Sequence, residues 1–166
     1  VHAAGGVFIA DEVQSGFGRL GEGLWGFARH GIAPDLVTMG KPMGNGYPVS
    51  ALAGSLEVFK SFGEDVSYFS TFGGSPAAMA AASAVLDEIE DRRLIPRAAE
   101  AGARLIEGMR AAALLDPFIG DVRGAGLFTA VEYVTDRESK EPHTLRALEV
   151  VSQLRDRGIL ISNTGL

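Results

Sequence analysis

Apolar positions fall into short runs in the first third of the chain and into helical stripes beyond it. Val7-Phe8-Ile9-Ala10 is an apolar run bounded by glycines and an acidic pair, the pattern of a buried strand. Leu36-Val37-Thr38-Met39, introduced by the turn signal Pro34-Asp35, predicts a second strand, and Val49 to Gly54 a third. Residues 15 to 31 are rich in glycine, with Phe17, Trp25 and Phe27 interspersed, which predicts a structured loop with a short helix. Leu56 to Phe62 reads as another short helix.

From Pro76 the period changes to 3.6. Met79, Ala82, Leu86 and Ile89 share one helical face, with Asp87, Glu88 and Asp91 turned away. A second helical pattern runs through Leu94, Ala98, Ala101, Leu105 and Met109, with Pro96 in its first turn, where proline is tolerated. Asp116-Pro117 ends it. Residues 126 to 134 alternate, placing Leu127, Thr129, Val131 and Tyr133 on one side and Phe128, Ala130, Glu132 and Val134 on the other, which predicts a strand. Thr135 to Pro142 is a polar, charged loop, read as a solvated hairpin or linker. Leu145, Leu148 and Val151 begin a further helix, and Ile159-Leu160-Ile161 predicts a last strand. The opening Val1-His2-Ala3-Ala4-Gly5-Gly6 reads as a helix end with its glycine stop. Both ends of the chain read as cuts within a fold, so a fragment is the expectation. The arrangement expected is α/β: part of a large domain over 1–92, a connecting helix over 93–114, and part of a small α+β domain over 115–166.

Composition removes several function classes. The 166 residues are 46% apolar and 22% charged with a net charge of −6, which supports a buried core and argues against a basic, phosphate-tracking nucleic-acid binder. No run approaches the roughly 20 apolar residues of a membrane span. The absence of cysteine removes disulfides and thiol nucleophiles, and His2, His30 and His143 are too scattered for a zinc centre. Nothing in the sequence reports on targeting, and a cytoplasmic location is carried only as the expectation. Glycine, at 22 residues, far exceeds the usual share of about 7%.

Lysine occurs only three times, which concentrates attention. Lys60 reads as an exposed position on the short helix and Lys140 lies in the polar loop. Lys41 directly follows a predicted strand, in Met39-Gly40-Lys41-Pro42-Met43-Gly44-Asn45-Gly46, with no carboxylate within five residues on either side. A partly desolvated lysine there would have a lowered pKa and a nucleophilic amine; a lysine on a surface glycine loop is the plainer alternative. A phosphate-binding P-loop fails, because Pro42 follows the GK pair and Asp35 occupies the upstream glycine position. Asp11 stands at the carboxyl end of the first strand, where α/β sheets place ligands, unless it serves as a helix cap or pairs with Arg19. Parallel packing would bring Asp11 and Lys41 to one rim. An acid and an amine converging there suit pyridoxal phosphate, which uses a lysine imine and a carboxylate-paired pyridinium. Ser70-Thr71-Phe72-Gly73-Gly74-Ser75-Pro76 offers hydroxyls, glycines and a helix start for an anion, though such loops are usually caps.

With these residues assembled, the sequence resembles the class III aminotransferases, pyridoxal-phosphate enzymes of fold type I. The resemblance rests on Ile9 to Arg19 (IADEVQSGFGR), Pro34 to Lys41 (PDLVTMGK), Ser70 to Pro76 and Val122 to Leu127 (VRGAGL), and covers essentially the whole chain in order. It implies that Lys41 forms the cofactor imine and shuttles a proton, and that Asp11 pairs with the pyridinium nitrogen. It also implies that Val13 packs on the ring, that Gln14 lies near the phenolic oxygen, and that Thr71, with Ser70 nearby, binds phosphate across a homodimer interface. Arg19 and Arg123 are read as structural. Ser75 stands where asparagine is more usual and can cap the helix equally well.

The family's members are more than twice as long, and the main phosphate loop, the ring-stacking aromatic and the substrate arginines have no counterpart here. The function implied is transfer of an amino group from an amino acid or ω-amine to a 2-oxo acid, with this chain inactive by itself. The alternatives are a phospho-lyase acting on an amino-alcohol phosphate, decarboxylase or aminomutase chemistry, and a non-catalytic α/β module. Met39 to Pro48 resembles the phospho-lyase branch, although Tyr47 stands where histidine is expected there.

Overall fold

The computed structural model describes residues 1–164. In chain order the elements are β1 (Ile9–Asp11), β2 (Leu36–Met39), β3 (Ala51–Gly54), α1 (Leu56–Asp65), α2 (Pro76–Asp91), α3 (Leu94–Leu115), β4 (Ile119–Ala125), β5 (Phe128–Tyr133) and α4 (Thr144–Asp156). Short 3-10 helices occupy His2–Ala4, Gly26–His30 and Lys41–Gly44. The chain divides into two units between Glu100 and Ala101, a point inside α3. The last two residues of the expected 115–166 portion lie outside the described residues. No helix among the described residues is long and apolar enough to cross a membrane.

The first unit carries a three-stranded sheet in the order β1-β2-β3. β1 and β2 run parallel, with Asp11 opposite Thr38, and β3 pairs antiparallel with β2, setting Met39 against Ala51. The ladder begins at Ile9 rather than Val7 because Asp35 occupies the Phe8 backbone on both sides. Its carboxylate accepts from the Phe8 N–H at 2.7 Å and its own N–H donates to the Phe8 carbonyl at 2.9 Å. Gly54 lets β3 approach β2; a Cβ there would stand 2.5 Å from Leu36 Cδ2.

Ser75 caps α2, accepting from the Ala78 N–H at 3.3 Å, with Pro76 in the first turn. α2 packs against the Lys41–Gly44 turn. Its covered face runs through Ala78, Ala82, Val85 and Ile89, while the predicted face members Met79 and Leu86 are exposed. The small alanine side chains allow the close approach that methionine and leucine would prevent.

The second unit is built on an antiparallel β4–β5 hairpin. β5 matches the predicted alternation, and β4 is an additional strand. Val134 is its most buried apolar side chain, 1% exposed. Gly102 on α3 lies against the hairpin turn, where a Cβ would fall 1.9 Å from the Gly126 carbonyl oxygen. Arg137 donates to the carbonyls of Ala113 and Asp116, satisfying the end of α3, and to that of Ile119 at the start of β4. The polar loop is closed as a hairpin by the Val134–Pro142 bridge, and Asp136 caps its turn.

The strand expected at 159–161 does not form: Ile159, Leu160 and Ile161 are exposed and carry no ladder. An apolar β-branched run becomes a strand only when a neighbour pairs its backbone, and no described strand lies beside it.

Candidate functional site

The parallel register of β1 and β2 places the carboxyl ends of both strands on one edge, and the candidate residues gather there. Asp11, exposed at the end of β1, is held through one oxygen. Oδ1 accepts from the Val13 N–H at 3.0 Å and from the Thr38 hydroxyl at 3.2 Å. Oδ2 takes no hydrogen bond from a described residue. The first of these bonds is the local turn that aspartate favours; no helix begins there, so Asp11 closes a turn and is not the helix cap that was the plainer alternative. The ion pair with Arg19 does not form either: Arg19 is exposed and no described carboxylate pairs with it.

Lys41 begins the 3-10 turn directly after β2. Its φ is +20°, at the edge of the left-handed region, where a side-chain-bearing residue is strained by on the order of 1 kcal/mol. The turn is fixed by the Met43 N–H donating to the Gly40 carbonyl at 2.7 Å and the Asn45 N–H donating to Pro42 at 3.1 Å. Lys41 is exposed. The partial desolvation expected of it is therefore not supplied by this chain, because its glycine and proline neighbours have no side chains long enough to cover the amine. Val13 lies beside the preceding residue; a Cβ at Gly40 would stand 3.6 Å from Val13 Cγ1. Gln14 is exposed.

Ser70 and Thr71 are exposed in the loop before α2. The Ser70 hydroxyl accepts from the Gly73 N–H at 3.0 Å, so in this arrangement it acts as a turn cap. The helix that follows this loop, α2, packs on the Lys41–Gly44 turn. The structure joins Asp11 to Val13 and Thr38 by hydrogen bonds and sets Lys41 just past the end of β2 on the same edge, whereas Ser70 and Thr71 make no hydrogen bond with these residues among those described. In the second unit Arg123 is committed elsewhere, pairing with Asp121 at 2.9 Å and Glu132 at 2.6 Å. These contacts hold its guanidinium in the charged form and its pKa above the usual arginine value.

Two residues given no role of their own in the sequence analysis belong to this edge. Thr38 is one. Glu12 is the other: it is 2% exposed, its Oε2 accepting from the Ser15 hydroxyl at 2.7 Å and the Gly26 N–H at 2.9 Å, and its Oε1 from the Phe27 N–H at 2.7 Å. Strand alternation was the available signal, since an acid beside an outward Asp11 must turn inward. At the far end of the same strands Asp35, bonded to the Phe8 N–H and to His2 at 2.7 Å, is held below the usual carboxylate range.

The sequence matches the family described as aminotransferase class-III over residues 2–166. It is 44% identical over 165 residues to the mitochondrial alanine–glyoxylate aminotransferase 2 homolog 2 of Arabidopsis thaliana, covering 99% of this chain and 34% of that protein. It is 42% identical over 164 residues to ethanolamine-phosphate phospho-lyase homolog 1 of Caenorhabditis elegans, covering 97% of this chain and 35% of that protein. Among solved structures, a phospholyase from Arthrobacter in complex with phosphoethanolamine superposes with a TM-score of 0.92 at 40% identity, covering 99% of this chain and 39% of that one. The chain therefore spans about a third of the length of the curated relatives it matches.

Proposed function

This chain belongs to the class III aminotransferase family and has its fold-type I architecture, and from that premise we propose that it furnishes the lysine and the ring-facing acid of a pyridoxal-phosphate-dependent transaminase. The observation that carries the reading is the parallel β1–β2 register, which sets Asp11 and Lys41 on one sheet edge.

The residues present suit the cofactor. Asp11 has one carboxylate oxygen engaged and the other free among the described residues, and Lys41 is uncovered and unpaired among them. When bound, pyridoxal phosphate would supply an electrophilic carbonyl carbon and an electron-withdrawing ring. Lys41 would be the amine that holds the cofactor through that carbon and the base that moves a proton at the substrate's α-carbon. Asp11, through the oxygen left free, would hold a proton on the ring nitrogen, because a fixed carboxylate favours the charged pyridinium. Val13 would cover the ring, Gln14 would donate toward its phenolic oxygen, and Ser70 and Thr71 would bind phosphate, with Thr71 serving a neighbouring subunit in a homodimer. Amino donors are amino acids or ω-amines, and the acceptor is a 2-oxo acid. A large-domain portion over 1–92, a connecting helix over 93–114 and a small-domain portion from 115 belong to this reading. So does a cytoplasmic location, with the mitochondrial name of the Arabidopsis relative marking its competitor.

Borohydride reduction of the cofactor-loaded protein, followed by peptide mass mapping, is expected to leave the pyridoxyl group on Lys41. Finding it on Lys60 or Lys140 overturns the assignment.

A second reading, phosphate elimination from an amino-alcohol phosphate, is favoured by the similarity to the two phospho-lyases. Phosphate release from phosphoethanolamine without a 2-oxo acid would select it over amino transfer.

A further inference from the structure

Asp11 and Glu12 are adjacent and face opposite ways. Asp11 is exposed at the strand end, whereas Glu12 is 2% exposed and its carboxylate gathers three donors, the Ser15 hydroxyl and the Gly26 and Phe27 N–H groups. Its main chain is held as firmly. The Glu12 N–H donates to the Thr38 carbonyl at 3.0 Å, and the Glu12 carbonyl accepts from the Gly16 N–H at 3.1 Å. Thr38 is also the residue whose hydroxyl donates to Asp11 Oδ1. The peptide between residues 11 and 12 is thus fixed from the β2 side by Thr38 and from the opposite face by the 15–27 loop.

We propose that Glu12 is a positioning residue, whose buried carboxylate fixes the direction in which the Asp11 carboxylate meets a bound ring. This rests on the reading in which Asp11 faces the cofactor. An apolar side chain of similar size would fill the buried position but would leave the Gly26 and Phe27 N–H groups without an acceptor. What the carboxylate adds is one point at which the Asp11–Ser15 turn and the Gly26–Phe27 segment are joined. The neighbouring glycines are fitted to that junction: a Cβ at Gly26 would lie 2.9 Å from Leu20 Cδ1, and one at Gly16 2.8 Å from the Glu12 carbonyl oxygen. A buried, fully bonded group of this kind holds an exposed functional group within the narrow tolerance a site requires.

Glu12→Gln keeps the volume and removes one acceptor. Whichever way the amide is turned, its NH2 faces either the Gly26 or the Phe27 N–H, so one backbone donor loses its partner. In the full-length protein, Glu12→Gln is expected to weaken pyridoxal-phosphate binding about tenfold. It should also alter the cofactor's visible circular dichroism and lower kcat with little change in KM, while the cofactor-free Tm stays within a few degrees. A lowered Tm with unchanged cofactor affinity, dichroism and kcat would make Glu12 purely structural and overturn the proposal. If Glu12→Gln does not fold, Ser15→Ala decides: it keeps the carboxylate and removes one donor. About threefold weaker cofactor binding supports the proposal, and unchanged binding overturns it. Asp11→Asn in the same assays separates the two levels. Normal turnover and dichroism there would sink the reading of Asp11 itself, whereas defects in Asp11→Asn without any in the Glu12 and Ser15 variants would sink only the role of Glu12.

Discussion

Thr38 stands opposite Asp11 across the parallel β1–β2 pair, and its hydroxyl donates to Asp11 Oδ1 at 3.2 Å. The bond crosses between the two strands whose ends carry the candidate acid and the candidate lysine. Thr38→Val keeps the β-branched shape and deletes only the donor. A loss of roughly 1 kcal/mol is expected, which is about fivefold in kcat, with the cofactor still bound. An unchanged kcat would mean that the Val13 N–H alone orients Asp11.

Asp11→Asn is expected to retain cofactor and lose most turnover, since an amide does not stabilise a pyridinium charge. The loss, several kcal/mol in transition-state stability, should appear in kcat more than in KM. Near-normal kcat would reduce Asp11 to its role as a turn cap for Val13.

Gly102→Ala tests the close contact between α3 and the β4–β5 turn. A Cβ 1.9 Å from the Gly126 carbonyl oxygen cannot be accommodated without moving backbone, and overpacking of that kind costs about 3 kcal/mol. Urea unfolding measures it. Gly108→Ala on the same helix meets nothing within 4 Å and is expected to be neutral or slightly stabilising.

Asp116 supplies a pH dependence with a definite sign. The Phe118 N–H at 3.0 Å, followed by Arg146 at 3.2 Å, holds its carboxyl below the ordinary 3.8. A depressed folded-state pKa contributes stability that is present above the unfolded value and is lost as pH falls through the folded one. Acid titration of stability should therefore show a loss below about pH 4 that Asp116→Asn removes.

The 166-residue chain by itself is expected to be poorly soluble and without transaminase activity. β1 and β3 are both edges of the sheet, Ile9 and Leu52 are exposed on them, and Tyr68, Phe69 and Phe72 stand open in the loop before α2. Bare edges and apolar faces favour association. A soluble chain that converts an added amino donor would contradict this.

β2 and the start of α2 were legible because each carries its own punctuation, Pro34-Asp35 before one and Ser75-Pro76 before the other. β4 was not, because Gly120, Asp121, Arg123 and Gly124 break the apolar alternation; its strand state comes from pairing with β5. Ile159 to Ile161 fails for the converse reason, having composition without a partner. At the site, local neighbours singled out Asp11 and Lys41. Thr38 and Glu12 were hidden because their roles depend on what lies across a strand and beneath a loop. The 15–31 segment announced a structured loop through its glycines and aromatics, and Phe17 does pack edge-on against Trp25 at 5.3 Å. Nothing local, however, said that the loop closes on a carboxylate.

The register of the strands also sets an order in time. β4 and β5 are joined by Gly126-Leu127 and pair as neighbours, so they can close on the microsecond scale of hairpins, ~1–10 μs. Asp11 and Thr38 are 27 residues apart, and their parallel pairing must wait until the intervening glycine-rich loop has been gathered up, which makes it the slower event. The edge that bears Asp11 and Lys41 is thus expected to be completed after the hairpin, and under the proposed function a cofactor would find its site only once that long-range pairing has formed.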